Sequence, residues 1–190
     1  MFNRWFGGTR VMRKLMERVI DRTPRRELRW LDVAGASGDI ATALERRFAR
    51  DGVKLKPLVL DRALEHLPDG LAAVQGDALR LPFHDDSFDV VSTSLLIHDF
   101  EPPEVRSFLA EALRVTRTAV LINELRRSWT HLGLVYAGMP LFSKITRHDA
   151  PASVKKSYTI AELREMIGSE PAEFHKFYLC RVGIIIWKNA

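Results

Sequence analysis

A short turn of small residues, placed between an apolar strand and a helix, is the feature of this sequence best suited to chemistry. It lies within Leu28 to Ile40, LRWLDVAGASGDI, where an apolar run ends at Asp32. Gly35 and Gly38 let the backbone turn sharply and approach a ligand closely. An acid at the end of a buried strand lies where an open α/β sheet binds its ligands. The segment therefore predicts a nucleotide-cofactor site.

Two more carboxylates end apolar runs farther along the chain. Asp61 follows Leu55 to Leu60 in VLDRA, and Asp77 comes soon after Leu71 to Gln75 in VQGDALRLPF. One aspartate in such a place is often only a cap or a turn residue. Three acids at successive strand ends favour a shared site instead, because ligands bind at the carboxyl ends of the strands in such sheets.

The elements that would position these residues alternate between strand and helix patterns. The predicted strands are Leu28 to Val33, Leu55 to Leu60, Leu71 to Gln75, Phe88 to Thr93, Ala119 to Asn123, and two more near Glu173 to Tyr178 and Val182 to Trp187. The predicted helices are Asp39 to Arg50, Pro102 to Val115 and Thr159 to Ile167, with only a short helical stretch, Arg62 to Leu67, in the second crossover. Such alternation implies an α/β fold with a parallel sheet and a shortened second crossover.

Composition sets wider limits on the class of protein. The chain has 190 residues, 46% hydrophobic and 28% charged, so we assign residues 1–190 to a single globular domain. Cys180 is the only cysteine, which excludes an internal disulfide and a cysteine-based zinc cluster and favours a reducing compartment. The opening MFNRWFGGTR lacks the apolar stretch of a signal peptide, and Leu132 to Phe142 is too short to cross a bilayer. We expect a cytoplasmic protein.

The net charge of +5 comes from the N-terminal part of the chain. Residues 1–50 hold twelve Lys and Arg against six Asp and Glu, whereas the rest of the chain holds 17 against 18. Within residues 1–27, Val11, Leu15 and Val19 recur at helical spacing among basic residues, which predicts a basic amphipathic cap. The simplest interpretation is a solvated outer face over a packed inner one. The alternative is attraction to an anionic partner such as acidic lipid or nucleic acid.

Four landmarks at successive strand ends resemble those of the class I S-adenosylmethionine (SAM)-dependent methyltransferases. They are LDVAGASGD, VLDRA, VQGDALRLPF and SFDVVSTSLLIHDF, and the run GDALRLPFHDDSFDVV is the most specific part. The resemblance is to the small-molecule type that includes the ubiquinone/menaquinone-biosynthesis methyltransferases, and it is firm over Leu28 to Glu124. The later segments are similar to uncharacterised bacterial members. The resemblance implies a Rossmann-like fold with a mostly parallel seven-stranded sheet, helices on both faces and a helical insertion after the fifth strand.

The resemblance also implies which residues bind SAM. The glycine turn would pass beneath the methionine moiety, and Asp61 would accept hydrogen bonds from the two ribose hydroxyls. Asp77 would accept a hydrogen bond from the adenine amino group, the Ala78 N–H would donate to the adenine ring, and Leu79 would pack on an adenine face. The full implied set is Asp32, Ala34, Gly35, Ala36, Gly38, Asp61, Arg62, Asp77, Ala78, Leu79 and Ser94.

The turn departs from the family pattern, in which three glycines follow the acid at alternate positions. Ala34 and Ala36 replace the first two glycines, and Gly38 keeps the third. We expect Ala34 to be tolerated. Ala36 adds a methyl group where a positive φ or close contact with the ligand is expected, at a cost of about 1 kcal/mol. These substitutions raise a second hypothesis, a non-catalytic relative that binds the cofactor weakly and acts through a partner.

For methyl transfer, the resemblance points to His98, after the fourth strand, as the general base. Holding nucleophile, methyl group and sulfur in line can supply about 7 to 11 kcal/mol, and a base typically adds about 10²- to 10⁴-fold, so positioning should dominate. Asp99 would orient His98 or keep it protonated. His148, beside Asp149, is a second candidate catalytic residue. The alternative is that His98 merely closes the pocket as a polar residue.

The acceptor is predicted from residues 126–157, the insertion after the fifth strand. The apolar run from Leu132 to Phe142 would pack into the core or line a pocket beneath a lid. We favour a lid over an apolar small molecule, such as a phenol, a quinol or a polyketide-like compound, methylated on oxygen or carbon. Nucleic acid is a less favoured acceptor, because Ser94-Leu95-Leu96 stands where amino-methylating enzymes have an Asn-Pro-Pro-Tyr-like segment.

A nicotinamide-dependent oxidoreductase is a further alternative. A glycine turn followed by an acid about twenty residues later also describes a dinucleotide-binding site. The segment Gly76-Asp77-Ala78 and the strand that begins with SFD speak against it, because they match the methyltransferases.

Overall fold

In the part of the chain that the structure describes, seven strands join in one sheet, as predicted. The computed structural model describes residues 7–68, 70–138, 144–177 and 180–188. Its strands are β1 (Glu27–Val33), β2 (Lys54–Asp61), β3 (Ala72–Gln75), β4 (Phe88–Ser94), β5 (Thr116–Leu125), β6 (Ala172–Phe177) and β7 (Arg181–Trp187). Its helices are α1 (Gly8–Arg22), α2 (Asp39–Ala49), α3 (Pro102–Val115), α4 (Trp129–Gly138), α5 (Lys144–Lys156) and α6 (Ile160–Ile167).

The order of the strands creates a crevice at the middle of the sheet. The order is β3-β2-β1-β4-β5-β7-β6, with β1 to β5 parallel and β7 antiparallel to both β5 and β6. From β1 the chain builds outward through β2 and β3 on one side and later through β4 and β5 on the other. Such a reversal opens a ligand-binding crevice at the carboxyl ends of the two central strands. The predicted Rossmann-like, mostly parallel sheet is confirmed.

Helices cover both faces of the sheet because its central strands are apolar on both sides. Leu28 and Trp30 of β1 belong to one buried cluster, which includes the apolar residues of α1 and α2. Leu31 and Val33 belong to the other, which includes those of α3 and α6. The helices α3 and α6 begin at residues that favour the start of a helix. A reciprocal capping box precedes α3, with proline in its first turn, and Thr159 caps α6 as predicted.

The basic N-terminal helix packs on the sheet through its apolar side. Val11, Met12, Leu15, Met16, Val19 and Ile20 are all buried. Gly183 of β7 allows this close approach, because a Cβ there would lie 2.9 Å from a methyl carbon of Leu15. Arg22 pairs with Glu173 at 2.9 Å and lies over the ring of Trp187. The packed-cap interpretation agrees with this arrangement, whereas attraction of the charged face to an anionic surface stays a prediction.

The second crossover is short and the insertion after β5 is helical, both as predicted. Between β2 and β3 the only helical element of the described residues is a single 3₁₀ turn, Leu64–His66. After β5 come α4 and α5, which contact one another, and α5 also contacts a second 3₁₀ turn, Ile97–Asp99. Residues 139–143, part of the predicted apolar run, lie outside the described residues. In the described part of the chain, no helix has the length and apolar character needed to cross a membrane.

Candidate functional site

The turn after β1 closes against the neighbouring strand. The Ala34 N–H donates to the Leu60 carbonyl oxygen at 2.7 Å, and the Gly38 N–H donates to the Gly35 carbonyl oxygen at 2.9 Å. A Cβ at Gly35 would lie 2.8 Å from a carboxylate oxygen of Asp32 and 3.0 Å from Val59, so only glycine fits without a shift. The turn thus lies on the carboxyl edge of β1 and β2, beside the crevice.

Both alanines of the turn adopt left-handed backbone conformations. The φ angle is 56° at Ala34 and 45° at Ala36. The expected strain at Ala36 is therefore present. Ala34, which we expected to be tolerated, also has a positive φ, where a Cβ costs about 1 to 2 kcal/mol.

Glycine at position 36 should stabilise the fold. Ala36→Gly removes the left-handed strain but adds disorder to the unfolded chain, so we expect the free energy of unfolding to rise by up to about 1 kcal/mol. Urea denaturation measures it. Ala43→Gly, in the exposed middle of α2, is the matched control and should lower the free energy of unfolding by about 1 kcal/mol. An equal loss in both variants would contradict the strain at Ala36.

Asp61 joins the turn to the loop after β2. One carboxylate oxygen of Asp61 accepts the Ala36 N–H at 3.1 Å, and the other accepts the Ala63 N–H at 3.1 Å. The Nδ1 atom of His66 lies 3.6 Å from the second oxygen. Each carboxylate oxygen has two lone pairs, so both can accept a further hydrogen bond from a ligand hydroxyl.

Asp32 supports the turn from beneath. Its side chain is buried and accepts a hydrogen bond from the Ser92 hydroxyl at 2.7 Å, and the Ser92 oxygen in turn accepts the indole N–H of Trp30 at 2.8 Å. Burial raises the pKa of Asp32 to about 6, although the Ser92 hydrogen bond acts in the opposite direction. The carboxyl group therefore lies buried beneath the turn, next to Gly35, and is not part of the exposed surface of the crevice.

The segment after β3 forms a tight turn. Asp77 is exposed, and one of its carboxylate oxygens accepts the Leu79 N–H at 2.9 Å. Ala78 and Leu79 are half-buried and pack against the core cluster on the α3 side. Arg62 is exposed, and its carbonyl oxygen accepts a hydrogen bond from the Gln75 side chain at 2.9 Å. The adenine-binding roles of these residues stay predictions.

His98 lies in the 3₁₀ turn after β4 and is held by a carboxylate. The His98 Nδ1 atom lies 2.9 Å from Glu124 Oε1, and both side chains are buried. The Leu125 N–H donates to the same Glu124 oxygen at 2.7 Å, which fixes the carboxylate. Burial opposes protonation of the ring, but the hydrogen bond and charge of Glu124 outweigh it, so the pKa of His98 lies above its ordinary value of 6.5.

The orienting role of Asp99 stays a prediction, because its side chain pairs with Lys156 in the structure. Its side chain is 59% exposed and lies 3.8 Å from the Lys156 ammonium group. Its charge supports protonation of His98 only as a smaller contribution after that of Glu124. Glu124 holds the ring because its side chain is on the β5 face toward His98, whereas Asp99 points toward α5. His148 lies in α5, and its side chain is outside the described part of the structure.

A second polar group lies beside this pair at the end of β5. Arg181 is buried, and its guanidinium donates to the Asn123 side-chain oxygen at 3.1 Å. The Asn123 amide nitrogen donates to the Ser94 hydroxyl at 3.2 Å. Burial lowers the pKa of Arg181, and the charge of Glu124 acts in the opposite direction. The sequence interpretation missed Glu124, Asn123 and Arg181, whose signal was polar residues interrupting two apolar strands.

A cavity of about 370 Å³ lies between the insertion and the start of α6. It is lined by Arg127, Ser128, Trp129, Leu132, Val154, Lys155 and Thr159. Leu132 belongs to the apolar run that was predicted to line a pocket, and Val154 is buried. None of the predicted cofactor-binding residues lines it, so this cavity is distinct from the crevice beside the glycine turn.

Comparison with known proteins finds methyltransferases that are similar to this chain. Residues 31–122 match a protein-family model described as a methyltransferase domain. The ubiquinone/menaquinone biosynthesis C-methyltransferase UbiE of Dinoroseobacter shibae is 40% identical over 106 residues, which are 50% of this chain and 40% of that protein. UbiE of Azotobacter vinelandii is 33% identical over 143 residues, which are 66% of this chain and 56% of that one. The chain thus spans about half the length of the curated relatives it matches.

A solved structure extends the similarity of fold to the whole chain. The plantazolicin methyltransferase BpumL, crystallised with a substrate analogue and S-adenosylhomocysteine (SAH), has a TM-score of 0.75 at 10% identity. The match covers 100% of this chain and 88% of that one.

Proposed function

We propose that this protein moves a methyl group from SAM to a small molecule, because residues 31–122 match the methyltransferase domain model and the chain has the class I methyltransferase fold. The acceptor is an oxygen or carbon atom of an apolar phenol, quinol or polyketide-like compound. One observation carries the proposal: the turn held by Asp61 and the buried His98–Glu124 pair lie at the same edge of one sheet. A nucleotide-binding edge and a basic group that can take a proton therefore adjoin each other.

The residues of the crevice fit SAM by the chemistry of their donors and acceptors. A ribose diol needs two acceptor atoms, and Asp61 presents two oxygens that are already oriented by the Ala36 and Ala63 N–H groups. The turn brings backbone near the crevice without side chains larger than a methyl group from Ala34 to Ala36. Asp77, Ala78 and Leu79 would hold the adenine, next along the edge of the sheet.

When bound, SAM supplies a methyl group that its sulfonium already activates. The protein must then hold the acceptor in line with that group, and such positioning can contribute about 7 to 11 kcal/mol. The glycine turn and Asp61 would fix the cofactor side, and the insertion after β5 would fix the acceptor side. Their location at the carboxyl ends of parallel strands of the same sheet supports this division.

His98 would take the proton that a hydroxyl or acidic carbon loses. Its Nδ1 atom faces Glu124, which leaves the Nε2 atom as the one to accept a proton from the acceptor. Glu124 would stabilise the imidazolium that results, since it is a buried carboxylate in hydrogen-bond contact with the ring. Glu124 is thus a positioning residue, and His98 is the proposed catalytic base.

The names of the relatives support a small-molecule acceptor. The two UbiE proteins are named as C-methyltransferases of ubiquinone/menaquinone biosynthesis. Transfer to carbon by this protein would use the same His98 base, because an aromatic carbon loses its proton after the new bond forms.

Calorimetric titration with SAM, SAH and NADH tests the proposal. We expect SAM and SAH to bind and NADH not to bind, because Gly76-Asp77-Ala78 and the strand that begins with SFD match the methyltransferases. Binding of NADH alone would overturn the methyltransferase proposal in favour of an oxidoreductase. Binding of none of the three would favour a non-catalytic relative, with the strained alanines of the turn as its physical cause.

A further inference from the structure

The cavity between α4, α5 and α6 has the size and wall of a small-molecule pocket. Its volume of about 370 Å³ lies in the range of pockets that hold drug-sized ligands. Trp129, Leu132 and Val154 give it an apolar wall. Trp129 is 88% exposed, so a large aromatic face at the cavity is open to a ligand.

The described residues that line this cavity carry positive charge. The described residues that line it include Arg127 and Lys155 but no acid. Arg127 donates to Glu162 at 2.5 Å, and Glu162 is also held by the Thr159 N–H, so that cation is already compensated. Lys155 is exposed and forms no ion pair with the carboxylates of the described residues. Lys155 therefore carries the charge that a ligand would meet.

The cavity is linked to the proposed catalytic base by the helix that forms one of its walls. Val154 and Lys155 lie near the end of α5, and the next residue, Lys156, pairs with Asp99 at 3.8 Å. Asp99 directly follows His98 in the same 3₁₀ turn. After α5, the Tyr158 hydroxyl donates to the Phe100 carbonyl oxygen at 2.6 Å. An acceptor seated against α5 would thus lie beside the turn that carries His98.

We propose that this cavity binds the acceptor and selects one with an apolar ring system and a carboxylate that pairs with Lys155. The inference rests on the proposed function, since it assigns the acceptor of that same reaction. It narrows the acceptor class from any apolar phenol or quinol to an aromatic acid. Trp129 and Leu132 would contact the rings, and Lys155 would distinguish the acid from an uncharged analogue.

A matched pair of ligands tests the selection without turnover. Binding of 3-hydroxy-2-naphthoate and of 3-hydroxy-2-naphthamide is measured calorimetrically in the presence of SAH. We expect the acid to bind about fivefold more tightly than the amide, as one partly exposed ion pair allows. Lys155→Met should remove this difference and leave the amide unchanged. Equal binding of acid and amide to the unmodified protein would overturn the inference.

Lys156→Met is the control, because it removes the same charge one residue away, where it pairs with Asp99 instead of lining the cavity. It should keep the acid preference, and a loss equal to that of Lys155→Met would also overturn the inference. Leu132→Trp, which fills the cavity, should weaken both ligands, and unchanged binding would place them elsewhere. Failure of SAH to bind would instead contradict the proposed function, and the acid and amide then test the cavity alone.

Discussion

Asparagine in place of His98 should lower the turnover of methyl transfer by about 10²- to 10⁴-fold, the usual contribution of a general base. Asparagine retains a polar side chain but cannot take the proton that the acceptor loses. The affinity for SAH should stay nearly unchanged, because His98 is proposed to contact the acceptor and is not one of the proposed cofactor-binding residues. Transfer of labelled methyl from SAM to an acceptor that the unmodified protein accepts measures the turnover. Equal rates would show that His98 only closes the pocket.

Glu124→Gln should move the pH dependence of the same reaction. A base must be unprotonated, so the rate falls as the pH drops through the pKa of His98, which Glu124 raises. Without the carboxylate charge that pKa falls, and the acid limb of the kcat profile should shift to lower pH. Turnover at neutral pH should fall as well, because glutamine stabilises the imidazolium less than a carboxylate does. An unmoved acid limb would contradict the pairing.

Asp99→Asn tests whether Asp99, as expected from the sequence, or Glu124, as found in the structure, controls the protonation of His98. Asp99 is mostly exposed and pairs with Lys156, so its replacement should shift the acid limb less than Glu124→Gln does. Glu165→Gln is the control, because Glu165 is exposed on α6, and it should not move the acid limb. A larger shift from Asp99→Asn than from Glu124→Gln would show that Asp99, and not Glu124, orients His98.

The same pairing predicts a stability effect with a definite sign. The native pKa of His98 is raised above its ordinary 6.5, so the pairing stabilises the fold fully below that value. This contribution is lost as the pH rises through the raised pKa. Urea unfolding followed across neutral pH should show the loss in the unmodified protein and a smaller one in Glu124→Gln.

The sheet and its nucleotide-binding edge followed from the sequence because they depend on local patterns. Apolar runs that end in an acid identify β1 and β2. Asp61 ends β2 in the structure as predicted, and Asp32 precedes Val33, the last residue of β1. The amphipathic period of α1 likewise gave the side that is buried. In each case the sequence pattern lies in the same short segment as the strand or helix that it predicts.

The acid that holds His98 could not be predicted in the same way. Glu124 is 26 residues from His98, and their contact depends on the pairing of β4 with β5 and on which face of β5 each side chain takes. The predicted strand ended at Asn123, whereas β5 continues to Leu125 and so carries Glu124 into the buried edge. Asp99 was chosen instead because it is adjacent in sequence. Adjacent residues of a tight turn point in different directions, so sequence proximity did not indicate the contact of His98 with Glu124.

Alanine in place of Asp61 should weaken the binding of SAH by about 1 to 3 kcal/mol, or roughly 5- to 150-fold. Two effects add in this variant. The ribose would lose its acceptor, and the N–H groups of Ala36 and Ala63 would lose the oxygens that orient their loops. Asp61→Asn keeps one acceptor oxygen but turns an amide group toward one of those N–H groups, so it should weaken binding as well. Calorimetry with SAH measures both variants, and urea unfolding gives the share that comes from the loops.

Asp51→Asn is the matched control for this loss. Asp51 lies just past the end of α2 and pairs with Arg47 at 2.6 Å on an exposed surface, so its change should alter neither SAH binding nor stability by more than about 0.5 kcal/mol. A protein with Asp61→Ala that binds SAH as tightly as the unmodified chain would remove Asp61 from the cofactor site. If the free energy of unfolding falls but the affinity for SAH does not change, the carboxylate serves only to join the two loops. Weaker binding with a smaller loss of stability is the outcome expected of a residue that contacts the cofactor itself.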